Sequence, residues 1–169
     1  MHEAFVYWLL SEEKARAHFA RIIGELSERF DAPVFEPHLT LLVAPATLHA
    51  PGEILRGIAS PKIALSVDRV ATSDRFTKTS FVRFRKKTEL QELADTVVRA
   101  CGLPAQRVAD PHVSLLYANV DGETRRTLAD TITLPFAEVF FDALCVMRCA
   151  LTVAIGEAMR AWERVAFST

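Results

Sequence analysis

The sequence predicts an internally duplicated α+β fold, and three observations carry that expectation. Two stretches of the chain each run strand, helix, loop, strand, with Phe5 33 residues before His38 and Phe81 31 residues before His112. Both stretches end in the same order of residue types: an acid, Pro, His, an apolar residue, a hydroxyl residue, Leu, Leu. These are Glu36-Pro37-His38-Leu39-Thr40-Leu41-Leu42 and Asp110-Pro111-His112-Val113-Ser114-Leu115-Leu116. Finally, 169 residues, half of them apolar, suit one domain with a core that needs no disulfide or structural metal. A single domain over residues 1–169 with two related halves is expected.

The elements follow in order. Residues 4–10, AFVYWLL, read as a buried strand, rich in aromatic and branched side chains. Ser11 is placed to cap a helix over roughly 12–30. Phe19, Ile22, Ile23, Leu26 and Phe30 share one face of it at helical spacing. DAPVFEP breaks this helix, and HLTLLVA follows as a strand. Pro51 predicts a short helix to about residue 59. KIALSVDRVA and SFVRFRK read as strands joined by a polar connection around Asp74. Thr88 and Gln91 form a capping-box signature. The helix behind it carries the stripe Leu90, Leu93, Ala94, Val97, Val98 and Cys101, and Gly102 ends it. DPHVSLLY is the second motif strand. A helix over about 122–131 and strands around 136–149 and 161–167 complete the chain.

Composition narrows the function. Twenty basic residues face 21 acidic ones, a net charge of -1, so a long nucleic acid is not an expected partner. Three cysteines without a C-x-x-C pair read as buried free thiols, suited to a reducing cytoplasm. The opening Met1-His2-Glu3-Ala4 lacks the basic start of a signal peptide, and the apolar run ending at Leu10 is too short to span a membrane. A cytoplasmic monomer without membrane contact is expected.

The twin motifs point to chemistry. Side chains alternate faces along a strand, so His38 shares a face with Thr40, and His112 with Ser114. Pro37 and Pro111 bias Glu36 and Asp110 toward extended backbone. If the duplication brings these strands together, two imidazole–hydroxyl pairs face one gap. Histidine titrates near neutrality, so one ring can serve as base while the other serves as acid. The hydroxyls can donate to phosphate oxygens as charge builds on them. Opening a cyclic phosphate needs this set and no metal.

The pair EPHLTLL and DPHVSLL resembles the H-x-[T/S]-x signatures of the 2H phosphoesterase superfamily, most closely the plant- and yeast-type cyclic nucleotide phosphodiesterases. The likeness also takes in YWLLSEE, PVFEPH, VDRV at 67–70, HVSLLY and AWERVA. It implies a bilobal fold of two antiparallel sheets around a central water-filled cleft, with flanking helices. It implies hydrolysis of 2',3'-cyclic nucleotides to 2'-phosphates, or of ADP-ribose 1'',2''-cyclic phosphate, without a cofactor. By resemblance His38 and His112 are catalytic, and Thr40 and Ser114 bind phosphate. Tyr117, five positions past the second histidine, lines the cleft, while Trp8 and Phe76 fall where aromatics stack on a base. The 71–80 loop departs from the plant pattern.

Other readings stand beside this one. His2, His18 and His49 read as ordinary side chains. A zinc site would need further ligands that neither motif supplies at close spacing. Arg83 and Arg85, with Lys86 and Lys87 behind them, read as the solvated face of an edge strand, with guidance of an anionic substrate as the alternative. The rival functions are an RNA-end enzyme in the style of 2'-5' RNA ligases, and a nucleotide-binding module without catalysis.

Overall fold

The computed structural model describes residues 3–46, 50–150 and 162–168. His2 and His49, and Ala161 at the start of the last expected strand, lie outside the described residues. The elements run β1 (Glu3–Ser11), α1 (Glu13–Phe30), β2 (Leu39–Pro45), α2 (Pro51–Arg56), β3 (Ile63–Thr72) and β4 (Ser80–Phe84). They continue as α3 (Thr88–Ala100), β5 (His112–Leu116), α4 (Gly122–Thr131), β6 (Glu138–Ala150) and β7 (Glu163–Ser168). The polar connection around Asp74 contains a single 3₁₀ turn, Phe76–Lys78.

All strand pairs are antiparallel, in the order β2-β1-β6-β3-β4-β5, with β7 also on β6. Two sheets meet through β3. Its first half, Ile63–Ser66, pairs with Glu138–Phe141 of β6, and its second half, from Val67 onward, pairs with β4. The remaining length of β6, Leu144–Arg148, pairs with β7 on the same edge. β2 and β5 stand at opposite ends of this order, yet they contact each other in space. The sheets therefore curl until the two motif strands approach.

The helices hold that curl. α1 buries Ala15, Phe19, Ile22, Ile23 and Leu26, as its periodicity predicts, and packs on β5 as well as on β1. α3 buries Leu90, Ala94, Val97 and Val98 and touches β2. Each helix thus braces the motif strand of the other half. The main core lies between these helices and one sheet face. The opposite face of β1 and β6 buries a smaller cluster of Trp8, Leu10, Ala143, Cys145, Met147 and Cys149.

Local details differ from the sequence reading where tertiary pairing competes. Ser11 does not cap α1: it is buried at the end of β1, opposite Phe141, and Glu12 takes the cap position without a side-chain hydrogen bond. Thr88 is the first residue of α3 rather than its cap, which is Lys87. Gln91 instead clamps the returning loop, donating to Asp95 Oδ1 and the Gln106 carbonyl and accepting from the Val108 N–H. β4 is internal to its sheet, so Arg83 is not on an edge, and Arg85 falls just past the strand. α1 ends where Asp31 turns left-handed at φ 48° and donates its N–H to the Ser27 carbonyl. Cys101, Cys145 and Cys149 are free and buried. No described helix is long and apolar enough to cross a membrane.

Candidate active site

Both motif histidines are held by the same device. His38 Nδ1 lies 2.6 Å from the Glu36 carbonyl, and His112 Nδ1 lies 2.8 Å from the Asp110 carbonyl. A carbonyl can only accept, so each Nδ1 carries the hydrogen and each Nε2 is left for proton exchange. The acid two residues back is itself pinned. Arg164 of β7 donates to Glu36 Oε2 at 2.6 Å. Arg83 donates to Asp110 Oδ1 at 2.8 Å, and Lys78 also pairs with the Asp110 carboxylate. Sequence reasoning marked the acids as part of the repeat but did not assign them this part, nor find Arg164 or Lys78.

The two rings differ in surroundings. His38 is 9% exposed. Its ring stacks on Trp8 with centroids 3.7 Å apart and planes 12° from parallel, and meets the edges of Phe35 and Trp162. These three aromatic side chains enclose the imidazole. His112 is only half-buried and meets Phe81 edge-on. Burial lowers the pKa of His38 to about 4; the Glu36 carbonyl opposes this, and charge on His112 adds to it. Burial also lowers His112, with the Asp110 carbonyl opposing and the Lys78 charge adding. That the charge of His112 reaches the His38 imidazole fits the approach of β2 to β5.

The linkage has a definite sign. Below the ordinary pKa near 6.5 the unfolded chain takes protons that folded His38 refuses, so stability is lost as pH falls from about 6.5 toward 4. For His38 alone the loss is on the order of 3 kcal/mol. Urea denaturation across this range is expected to show the decline. Imidazole NMR is expected to show His112 taking its proton at higher pH than His38. The reverse order would contradict the burial of His38.

The remaining expected site residues divide. Thr40 is half-buried and pairs across β1 with Trp8, which puts its side chain on the His38 face. Ser114 is 4% exposed, and its hydroxyl donates to the Thr77 carbonyl at 3.0 Å. To serve a phosphate it must give up that bond. Tyr117 is 5% exposed and stacks on Phe35 with centroids 4.0 Å apart. Burial pushes its phenol up, and the Ser114 hydroxyl opposes that shift. Phe76 is half-exposed and tilted toward Tyr117 at 6.3 Å. Trp8, 2% exposed beneath His38, is a platform for the imidazole rather than a free surface for a base. Phe35 and Trp162 complete this aromatic set and were not singled out from sequence. His18 lies apart, edge-on to Phe136.

Among the described residues, no three His, Cys, Asp or Glu side chains gather as metal ligands. A cavity of about 780 Å³ lies between α3 and residues 105–109, lined by Lys86, Lys87, Gln91 and Arg107 among others. It contains none of the motif imidazoles or hydroxyls, so the chemistry is read from the histidines.

No family model matches the chain. A curated relative, the cyclic phosphodiesterase of Arabidopsis thaliana, is 24% identical over 169 residues, covering 97% of this chain and 93% of that protein. Among solved structures, E. coli LigT complexed with 3'-AMP superposes with a TM-score of 0.60 at 14% identity, covering 99% of this chain and 96% of LigT. LigT complexed with ATP gives 0.59 at 15% identity, covering 99% and 98%. A structure described as a phosphoesterase gives 0.57 at 14% identity, covering 98% and 97%. The fold of this chain is that of LigT, and the likeness runs nearly the full length of both chains.

Proposed function

We propose that this protein is a phosphodiesterase that opens a small nucleotide-derived cyclic phosphate, with His38 and His112 exchanging the two protons. The observation that carries the reading is the matched pinning of both Nδ1 atoms, which leaves two Nε2 atoms on approaching strands. In the reaction one neutral imidazole takes a proton from water as its oxygen bonds to phosphorus. The other, charged, protonates the ribose oxygen as its bond to phosphorus breaks. A phosphate anion between the rings favours their charged forms, opposing the effect of burial. Thr40, and Ser114 once released from Thr77, are the donors for the non-bridging oxygens. The name of the Arabidopsis relative supports cyclic phosphates as the substrate class. In this reading 2',3'-cyclic nucleotides yield 2'-phosphates, and ADP-ribose 1'',2''-cyclic phosphate is the other candidate.

Incubation with 2',3'-cyclic AMP and with ADP-ribose 1'',2''-cyclic phosphate, followed by phosphorus NMR, tests this. Loss of the cyclic-phosphate resonance is expected, at a rate unchanged by EDTA. Absence of turnover for both, with binding intact, would favour a nucleotide-binding module. The LigT-like fold supports a second reading, an RNA-end enzyme. Tight binding of a ~20-nucleotide RNA at low salt, lost as salt rises, would favour it.

A further inference from the structure

We propose that the face beside His112 holds a second anion subsite, a row formed by Arg69 and Arg83, which selects substrates carrying another phosphate besides the one attacked. The row is set by strand register. Arg69 of β3 lies directly opposite Arg83 of β4, and Arg83 lies directly opposite His112 of β5. Directly opposed residues of antiparallel strands share a face, so all three side chains project on the same side. Like charges opposed in this way destabilise a sheet unless something negative compensates.

The compensation present is incomplete. Asp110 is shared between Arg83 and Lys78, two cations on one carboxylate. Arg69 is 62% exposed, and the only acid paired with it among the described residues is its neighbour Asp68, at 3.7 Å. Three cations thus face two carboxylates within this patch. Among the described residues the first motif shows no such excess, because Glu36 and Arg164 pair one to one. The pseudo-symmetry of the histidines is therefore broken by charge, and a substrate with a second anionic group has one favoured direction.

The spacing suits that group. Adjacent strands lie about 4.8 Å apart, which places the Arg69 backbone roughly 10 Å from that of His112. Arginine side chains bridge much of this gap, so the row covers the separation of two phosphates on one ribose. The expected class is a ribose cyclic phosphate bearing a further phosphoryl group at its 5' side, in preference to an unsubstituted nucleoside cyclic phosphate. The inference rests on the proposed function only for the position of the attacked phosphate.

Calorimetry with adenosine 2'-monophosphate and adenosine 2',5'-bisphosphate tests it without turnover. The bisphosphate is expected to bind about tenfold more tightly, and the ratio should shrink as salt is raised toward 1 M, where screening falls to about 3 Å. Arg69→Gln is expected to bring the ratio close to one. Arg21→Gln, which removes the same charge from the exposed surface of α1, should leave the ratio intact. Equal affinities in the unmodified protein, a ratio that survives Arg69→Gln, or an equal fall in Arg21→Gln would each overturn the subsite. Failure to hydrolyse any cyclic phosphate would refute the proposed reaction while leaving this binding ratio as a separate result.

Discussion

Replacing either motif histidine with alanine is expected to lower kcat by at least ~100-fold, because general acid and general base each contribute roughly 10²–10⁴-fold. The two losses should not multiply. With one imidazole gone the proton relay is already broken, so the double variant should resemble the worse of the two single ones. The kcat/KM profile should be bell-shaped and displaced to the acid side of 6.5, since burial lowers both imidazoles in the free protein. Its limbs belong to the pair rather than to one ring. Additive losses, or a profile centred well above neutrality, would show that other groups move the protons.

The second large effect is expected at Trp8, where two roles predict different outcomes. As a platform, Trp8 lies flat beneath His38 and is braced edge-on by Trp162 at 5.4 Å. Trp8→Ala would then remove a buried ring and cost about 3–5 kcal/mol of folding stability. It would also admit water beneath the imidazole, so the pKa of His38 should rise from about 4 toward its ordinary value. Trp8→Phe should restore much of both. Urea denaturation and imidazole NMR read these changes. If Trp8→Ala instead weakened nucleotide binding with stability and the His38 titration unmoved, Trp8 would be a base-stacking residue after all.

The α+β fold and the order of its elements were legible because period-2 and helical patterns were strong, and the two motifs stood out because they repeat seven residue types in order. That made His38, Thr40, His112 and Ser114 visible without a structure. The caps were misjudged at Ser11 and Thr88 because strand pairing and loop docking took those residues first, a tertiary effect that local propensity cannot register. Arg83 was misplaced for a related reason: a charged strand reads as an edge, whereas here the Asp110 carboxylate, just before β5, pairs with the guanidinium inside the sheet. Burial alone works to raise that carboxyl; hydrogen bonds from Lys78 and Arg83 outweigh it and leave it below the usual range. Arg164 and Trp162 were hidden by distance along the chain, 128 residues separating Arg164 from Glu36. No spacing rule links them, because their meeting depends on β7 joining β6 beside β1.

That late strand has a consequence during synthesis. Everything around His112, from Lys78 to Tyr117, has left the ribosome before β7 is made. The ring of His38 by contrast lacks its Trp162 edge, and the Glu36 carboxylate its Arg164 partner, until β7 has emerged. The contacts that hold the first motif are therefore available only after those that hold the second, once β7 can pair with β6.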